Sequence, residues 1–152
     1  MVNFNGNIQE TSTVNIESNR GFLFGDAVFE TVKIVNGKIL FFEDHYFRLM
    51  ASMRILRMNI PMAYTLEFLE QELLKVAETN GCSHSARVRI TVYRNDGGYY
   101  LPKDRGVSYL ISSLEITFTN YQYFSGSYEV ELYKDFYVNN QLLCLIATDF
   151  LD

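Results

Sequence analysis

Arginines are the side chains in this sequence with the clearest capacity for chemistry, and Arg48 is the first of them. It lies one turn after His45 in an apolar stretch with helical spacing. A guanidinium buried there needs an anionic partner, because an unpaired buried charge is costly. Either a salt bridge to a nearby Asp or Glu or a bound phosphate meets that need. Residue types alone favour the salt bridge by about two to one, since most arginines pair at or near the surface.

Three more arginines occur on one segment whose apolar residues alternate as in a β-strand. Arg87 and Arg89 share one face of that strand, and Arg94 falls on the other. The guanidinium fork matches the geometry of a carboxylate, so these side chains could recognise a carboxylate ligand. A solvated strand face explains the same pattern, and the sequence leaves both interpretations open.

The other reactive side chains give weaker signals. Asp26 and Glu30 could work as an acid and a base, but their spacing at a loop-to-strand junction is not specific. The chain's two histidines are isolated and predict no metal site. Cys82 and Cys144 have neither metal nor redox-motif spacing, and no base partners Cys144. We therefore interpret both cysteines as reduced thiols of a cytoplasmic protein.

Composition narrows the class of protein further. The chain has 152 residues, of which 48% are hydrophobic, so it can build a core. The formal net charge of −5 argues against nucleic acid as a partner. Its apolar runs are too short to span a bilayer, and the first residues lack the features of a signal peptide. We expect a cytoplasmic protein with neither a nucleic-acid nor a membrane partner.

Turn signals of the Asn-Gly type predict two β-hairpins in the first 42 residues. One hairpin spans residues 2–9. The other joins a strand over 27–35 to a return strand over 38–42. Between the hairpins, residues 21–25 are predicted to form a loop with glycines at its ends.

Two helices are predicted next. The first begins at an Asp44 cap, and its apolar face is predicted to contain Phe47, Met50, Ala51 and Ile55. The second begins at a Thr65 cap and ends at Asn80-Gly81. Its apolar positions recur at helical spacing and are Leu66, Leu69, Leu73, Val76 and Ala77.

Strands are predicted over 87–94 and 107–116, which makes residues 1–117 a small α+β domain with a largely antiparallel sheet. Residues 118–127 lack periodicity and are predicted to be an interdomain linker. A strand over 128–133 then opens residues 128–152, which we interpret as the beginning of an incomplete second domain.

The order and spacing of several short motifs resemble the amino-terminal part of the class IV (fold-type IV) pyridoxal-phosphate enzymes. That family includes D-amino-acid aminotransferases, branched-chain aminotransferases and aminodeoxychorismate lyases. The resemblance implies a D-amino-acid-aminotransferase-like small domain, pyridoxal 5′-phosphate as the cofactor and a homodimer. The motifs are Asn5-Gly6, Arg20-Gly21, Phe24-Gly25-Asp26, Val28-Phe29-Glu30, Asn36-Gly37, His45-x-x-Arg48-Leu49-x-x-Ser52 and Ile90-Thr-Val-Tyr-Arg94.

The resemblance also implies roles for three residues. Arg48 matches the arginine that holds the cofactor phosphate, which reverses the odds derived from residue types. Phe29 matches an aromatic residue of the substrate pocket and lacks the hydroxyl of the Tyr found in D-specific members. Arg94 matches a substrate-carboxylate arginine. The segment that follows, Gly97 to Tyr100, looks more like the lyase branch.

The chain departs from the family pattern at the lysine that links covalently to the cofactor and carries the substrate proton. That lysine is expected near Ala147, where the chain has none, and Lys134 lies earlier. Without it, covalent and acid–base catalysis are both lost. We therefore expect a truncated or altered aminotransferase chain that is inactive alone and binds the cofactor poorly. A lyase acting on aminodeoxychorismate, a non-catalytic dimerisation remnant and an unrelated ligand-binding protein remain alternatives.

Overall fold

A computed structural model describes residues 1–117 and 126–130 of the chain. Six strands and three helices lie in this part. The strands are β1 (Val2–Phe4), β2 (Asn7–Gln9), β3 (Ala27–Val35), β4 (Lys38–Ile39), β5 (Ser85–Arg94) and β6 (Val107–Glu115). The helices are α1 (Arg20–Phe24), α2 (Phe42–Ile55) and α3 (Leu66–Thr79). The predicted α+β class is confirmed.

The strands form one antiparallel sheet in the order β2-β1-β6-β5-β3-β4. Strands β3 and β5 pair along their whole length, from Ala27 opposite Tyr93 to Val35 opposite Ser85. Alternate residues of these strands face α2 and α3 and form the core with them. Val32, Val88 and Ile90 are each at most 2% exposed on that face. On the other face of the sheet, the short helix α1 lies against Ala27 and Tyr93, with Gly21 next to the Cβ atoms of both.

Both predicted hairpins are confirmed. Their turns place Asn5 and Gly6 at φ of 48° and 89°, and Asn36 and Gly37 at φ of 49° and 74°. Left-handed backbone at both central positions matches the right-handed twist of the flanking strands, and Asn-Gly tolerates it at low cost. The predicted strands at 87–94 and 107–116 are also confirmed, to within two residues at each end.

Helix α3 forms as its sequence predicts. The Thr65 hydroxyl accepts a hydrogen bond from the Phe68 amide at 3.2 Å, which caps the first turn. The apolar stripe is buried, with Leu69 and Leu73 each 1% exposed. Gly81 at φ of 70° follows the last turn.

Helix α2 begins at Phe42, two residues before the predicted cap, and the return strand β4 stops at Ile39. The reason is a tight reversal at Phe41, whose φ of 53° ends the hairpin and starts the helix. Asp44 therefore lies in the first turn, where its negative charge faces the positive end of the helix dipole.

The predicted buried face of α2 is wrong for three of its four residues, and only Met50 is buried as predicted. Phe47 is 61% and Ile55 37% exposed, and Ala51 is exposed too. The helix instead buries Phe42, Leu49, Met50, Ser52 and Met53. Apolar residues lie on more than one side of this helix, so spacing alone could not select the side that meets the sheet.

Residues 21–25, predicted as a loop, belong to the short helix α1. The Asn19 side chain accepts from the Phe22 amide at 2.9 Å and caps the helix. Gly25 at φ of 65° ends it in the left-handed region. The loop prediction is therefore wrong: Gly21 is the second residue of the helix, and Gly25 is its C-cap.

The remaining predictions concern the end of the chain. The strand predicted over 128–133 is described only for residues 128–130. These residues do not form a strand, so that part of the prediction is wrong. The rest of that strand, most of the predicted linker, and the positions of Lys134, Cys144 and Ala147 lie outside the described residues. The division into domains stays a prediction. No helix in the described residues has the length and hydropathy needed to cross a membrane.

Candidate functional site

The first polar cluster of the core joins Glu30 of β3 to His45 and Arg48 of α2. The Arg48 guanidinium donates two hydrogen bonds to the Glu30 carboxylate, from Nε to Oε1 at 2.6 Å and from Nη2 to Oε2 at 2.6 Å. His45 Nδ1 lies 2.8 Å from Glu30 Oε2 and 3.0 Å from Arg48 Nη2. Strand alternation turns Glu30 inward, and the three-residue spacing on the helix brings His45 and Arg48 to the same side.

This arrangement explains how Arg48 is tolerated between helix and sheet. Glu30, only 4% exposed in its side chain, supplies the anionic partner that a buried guanidinium requires. The salt bridge expected from residue types alone is therefore confirmed. The Arg48 side chain is still 34% exposed, so it is fixed in orientation by Glu30 without being fully buried. Its role toward a phosphate stays a prediction.

Phe29 lies on the opposite face of the sheet, away from α2 and α3. The Arg89 guanidinium stacks on its ring, 3.7 Å from the centroid. Thr31 and Arg89 are paired across β3 and β5, as are Lys33 and Arg87. The predicted sharing of a face by Arg87 and Arg89 is confirmed, and this face combines an aromatic ring with several positive charges.

Arg94 lies on the helix side of the sheet and is 5% exposed. Its Nε donates to Asp26 Oδ2 at 2.8 Å, and its Nη atoms donate to the carbonyls of Leu56 at 2.5 Å and Arg57 at 3.3 Å. Those carbonyls follow the last turn of α2, where a positive charge is favourable. The structure thus does not gather the three predicted site residues: Phe29 lies on one face of the sheet, Arg48 and Arg94 on the other.

Arg20 is a buried arginine that the sequence interpretation gave no role. It is 2% exposed and donates from Nε to Asp26 Oδ2 at 2.9 Å. Its Nη1 lies within hydrogen-bond distance of three successive carbonyls, those of Gly97, Gly98 and Tyr99. Asp26 therefore belongs to an ion-pair network separate from that of Glu30, which corrects the suggestion that the two carboxylates pair as acid and base.

An open cleft of about 550 Å³ adjoins this second network. Polar groups of Arg20, Asp26 and Arg94 form part of its wall. The remaining lining residues are mostly apolar and are Leu23, Phe24, Gly25, Leu56, Tyr100 and Pro102.

Other candidate groups have structural roles in the described residues. No cluster of His, Cys, Asp or Glu there could hold a metal ion. Cys82 is buried, with its thiol 3.4 Å from the Ala77 carbonyl. Burial raises the pKa of Tyr64 to about 12. Burial and, next, the hydrogen bond to the Glu72 carboxylate raise the pKa of Tyr109. Both phenols stay protonated at neutral pH and are not acid–base groups there.

Solved structures that share this fold include aminotransferases. The branched-chain amino acid aminotransferase of Escherichia coli superposes with a TM-score of 0.65 at 20% identity, over 76% of this chain and 40% of that one. The branched-chain enzyme of Thermobaculum terrenum in its pyridoxal-phosphate form gives a TM-score of 0.61 at 24% identity, over 75% and 39%. At these identities the likeness establishes the fold.

The family follows from sequence. Residues 27–142 match the family model of the class IV aminotransferases, and the chain belongs to that family. A D-alanine aminotransferase of Listeria monocytogenes is 36% identical over 99 residues, which cover 65% of this chain. The match spans only 29% of that relative's length.

This family uses pyridoxal phosphate, and the described residues fit that cofactor only in part. Arg48 is suited to a phosphate because its guanidinium is oriented and partly exposed. The lysines of the described residues lie on other elements or faces than Arg48. Lys33 is on the face of β3 opposite Glu30, and Lys75 donates to the Gly6 carbonyl at 3.1 Å. Lys38 and Lys103 are exposed in a hairpin and a loop.

Proposed function

We propose that this chain supplies the small domain of a pyridoxal-phosphate aminotransferase that moves amino groups between amino acids and 2-oxo acids. The observation that carries the proposal is the guanidinium of Arg48, held at two points by Glu30 yet one-third exposed. The D-alanine aminotransferase relatives support amino transfer over the lyase reaction. The same proposal includes a homodimer, which the resemblance implies, and a cytoplasmic location, which is expected from the two cysteines and the amino-terminal sequence.

Glu30 and His45 act on the phosphate through Arg48. The two-point contact from Glu30 fixes the plane of the guanidinium, so little side-chain entropy remains to be lost when an anion binds. His45 Nδ1, 3.0 Å from Arg48 Nη2, restrains the same group from the preceding turn. When bound, the cofactor would supply the electron sink for amino transfer.

Phe29 and Arg89 are proposed to meet the substrate on the face of the sheet opposite α2 and α3. The ring offers an apolar surface for a side chain, and the guanidinium stacked on it offers donors for a carboxylate. This pair suits an amino acid or 2-oxo acid, which has both features.

The phosphate role predicts a selective effect of Arg48→Ala. Loss of charge-assisted hydrogen bonds should weaken binding of pyridoxal phosphate by about tenfold or more. Binding of pyridoxal, which lacks the phosphate, should change little. Equilibrium dialysis of both compounds against the full chain measures this difference.

Arg54→Ala is the matched control, because Arg54 is an exposed arginine of the same helix. It should leave both affinities within about twofold of the original chain. Equal losses for Arg48→Ala and Arg54→Ala, or no saturable binding by the unsubstituted chain, would count against a phosphate site at Arg48.

The full chain is also expected to show no transamination of D-alanine with 2-oxoglutarate in saturating pyridoxal phosphate. The reason is the missing lysine near Ala147, since positioned acid–base catalysis alone contributes about 10²–10⁴-fold. Borohydride reduction followed by peptide mapping should label no single lysine stoichiometrically.

Measurable turnover, or a stoichiometric label on Lys134, would refute the claim of inactivity and reveal a working cofactor site. Absence of both, with normal folding, is expected for the proposed small domain and for a non-catalytic remnant alike. Binding of pyridoxal phosphate that depends on Arg48 then favours the proposed small domain, and a folded chain without cofactor affinity favours the remnant.

A further inference from the structure

Two nearly buried arginines share one carboxylate outside the proposed cofactor site. Asp26 Oδ2 accepts from Arg20 Nε at 2.9 Å and from Arg94 Nε at 2.8 Å. The two arginines are 2% and 5% exposed, so neither charge is well hydrated. One carboxylate cannot neutralise two guanidiniums, and the cluster needs further acceptors.

Five backbone carbonyls provide them. Arg20 Nη1 is bonded to the carbonyls of residues 97, 98 and 99, and the Arg94 Nη atoms are bonded to those of residues 56 and 57. Each arginine therefore ties a different segment to Asp26. Arg20 holds the turn after β5, and Arg94 holds the end of α2, where carbonyl groups lack partners within the helix.

The turn held by Arg20 has an unusual shape. Gly97 and Gly98 have φ of 112° and 78°, and a side chain at Gly98 would collide with the Leu101 carbonyl. A bridge between Gly98 and Pro102 closes the segment into a small loop. We call residues 97–102 the aromatic loop, because its tip carries Tyr99, Tyr100 and Leu101.

The tip of the aromatic loop is exposed. Tyr99, Tyr100 and Leu101 are 84%, 94% and 82% accessible. Three large apolar side chains in succession are rarely left in solvent without a contact role. The Tyr100 ring contacts Phe24 at 6.0 Å between centroids, and the Lys103 amide donates to the Gly97 carbonyl at 3.3 Å. Burial contributes little, so the shape of the loop depends on these contacts, on the glycines and on Arg20.

We infer that Arg20 and Arg94 are positioning residues around Asp26. Arg20 fixes the aromatic loop in one preformed shape, and Arg94 fixes the end of α2. Three of the five N–H groups of Arg94 then bind within the fold, and its role is to position these segments rather than to bind the substrate carboxylate. This inference goes beyond the proposed function and does not rest on it, because it concerns the shape of the chain without cofactor.

Arginine-to-lysine variants of the full chain test the inference. Lysine keeps the charge but loses the planar fork that reaches a carboxylate and several carbonyls together. Arg20→Lys should speed amide hydrogen exchange in peptides covering residues 97–103 by at least about tenfold. Arg94→Lys should do the same for residues 54–60. Arg105→Lys is the matched control, since Arg105 is exposed and close to the loop in sequence.

A spectroscopic readout separates local loosening from general instability. The chain has no tryptophan, so Tyr100→Trp gives a single reporter on the tip. In that background, Arg20→Lys should lower the tryptophan anisotropy, while Arg94→Lys and Arg105→Lys should leave it unchanged.

The inference is overturned if Arg20→Lys has a native circular-dichroism spectrum and matches Arg105→Lys both in amide hydrogen exchange of residues 97–103 and in tryptophan anisotropy. It is equally overturned if Arg94→Lys loosens neither segment. Should a variant fail to fold, chymotrypsin on the unsubstituted chain decides the question. A preformed loop resists cleavage at its aromatic tip, and cutting there as fast as in the urea-unfolded chain contradicts the inference.

Discussion

Asp26→Ala is expected to destabilise the chain by about 3–5 kcal/mol, the range found when one partner of a buried ion pair is removed. The loss is large because a single carboxylate serves two guanidiniums, whose side chains are 2% and 6% exposed. Domains of this size have a free energy of unfolding of about 5–15 kcal/mol, so a substantial fraction of the stability disappears. Urea unfolding followed by circular dichroism measures the change.

Two further variants test whether the effect of Asp26→Ala comes from its charge and its position. Asp26→Asn keeps an acceptor oxygen but removes the charge, and should fall between the original chain and Asp26→Ala. Asp96→Ala removes an exposed aspartate that contacts Ser18, and should cost about 0.5 kcal/mol. A loss below about 1 kcal/mol for Asp26→Ala would mean that the carbonyls alone suffice to hold both arginines.

Leu73→Ala is expected to cost about 2–5 kcal/mol, the range for leucine truncation in a close-packed core. Leu73 is 1% exposed and lies between helix α3 and the sheet. The substitution removes apolar contacts and leaves a cavity that the surrounding strands cannot fill without strain. The same urea titration reports the effect.

The control on the same helix is Gln71→Ala, at an exposed position. It should change the free energy of unfolding by no more than about 0.5 kcal/mol. Similar effects at residues 71 and 73 would show that the buried face of α3 has been assigned to the wrong side.

The candidate site was predictable only in part. The His45-x-x-Arg48 spacing predicts two polar side chains on one helix side, because that follows from helix geometry. That Glu30 is their shared partner required the packing of α2 on β3. The sequence alone does not say which carboxylate lies next to Arg48. Phe29 and Arg94 lie on opposite faces of the sheet, which the motif match did not predict. A motif match assigns a role to a residue but does not say which residues lie together.

Local rules of the chain determined most of the secondary structure. The Asn-Gly turns require left-handed backbone, α3 has a cap and a single apolar stripe, and β3 alternates strictly, so each element is specified by neighbours in sequence. The class IV family is likewise evident from the sequence, because several motifs occur together in a fixed order and spacing.

Tertiary structure decided what depends on distant neighbours. The buried side of α2 was set by the sheet, since apolar residues lie on more than one side of that helix. The Asp26 cluster joins Arg94 across 68 positions, and Arg20 reaches Tyr99 across 79. Burial converts these arginines from surface charges into groups that must find every acceptor within the fold, and only the packed chain shows where those acceptors are.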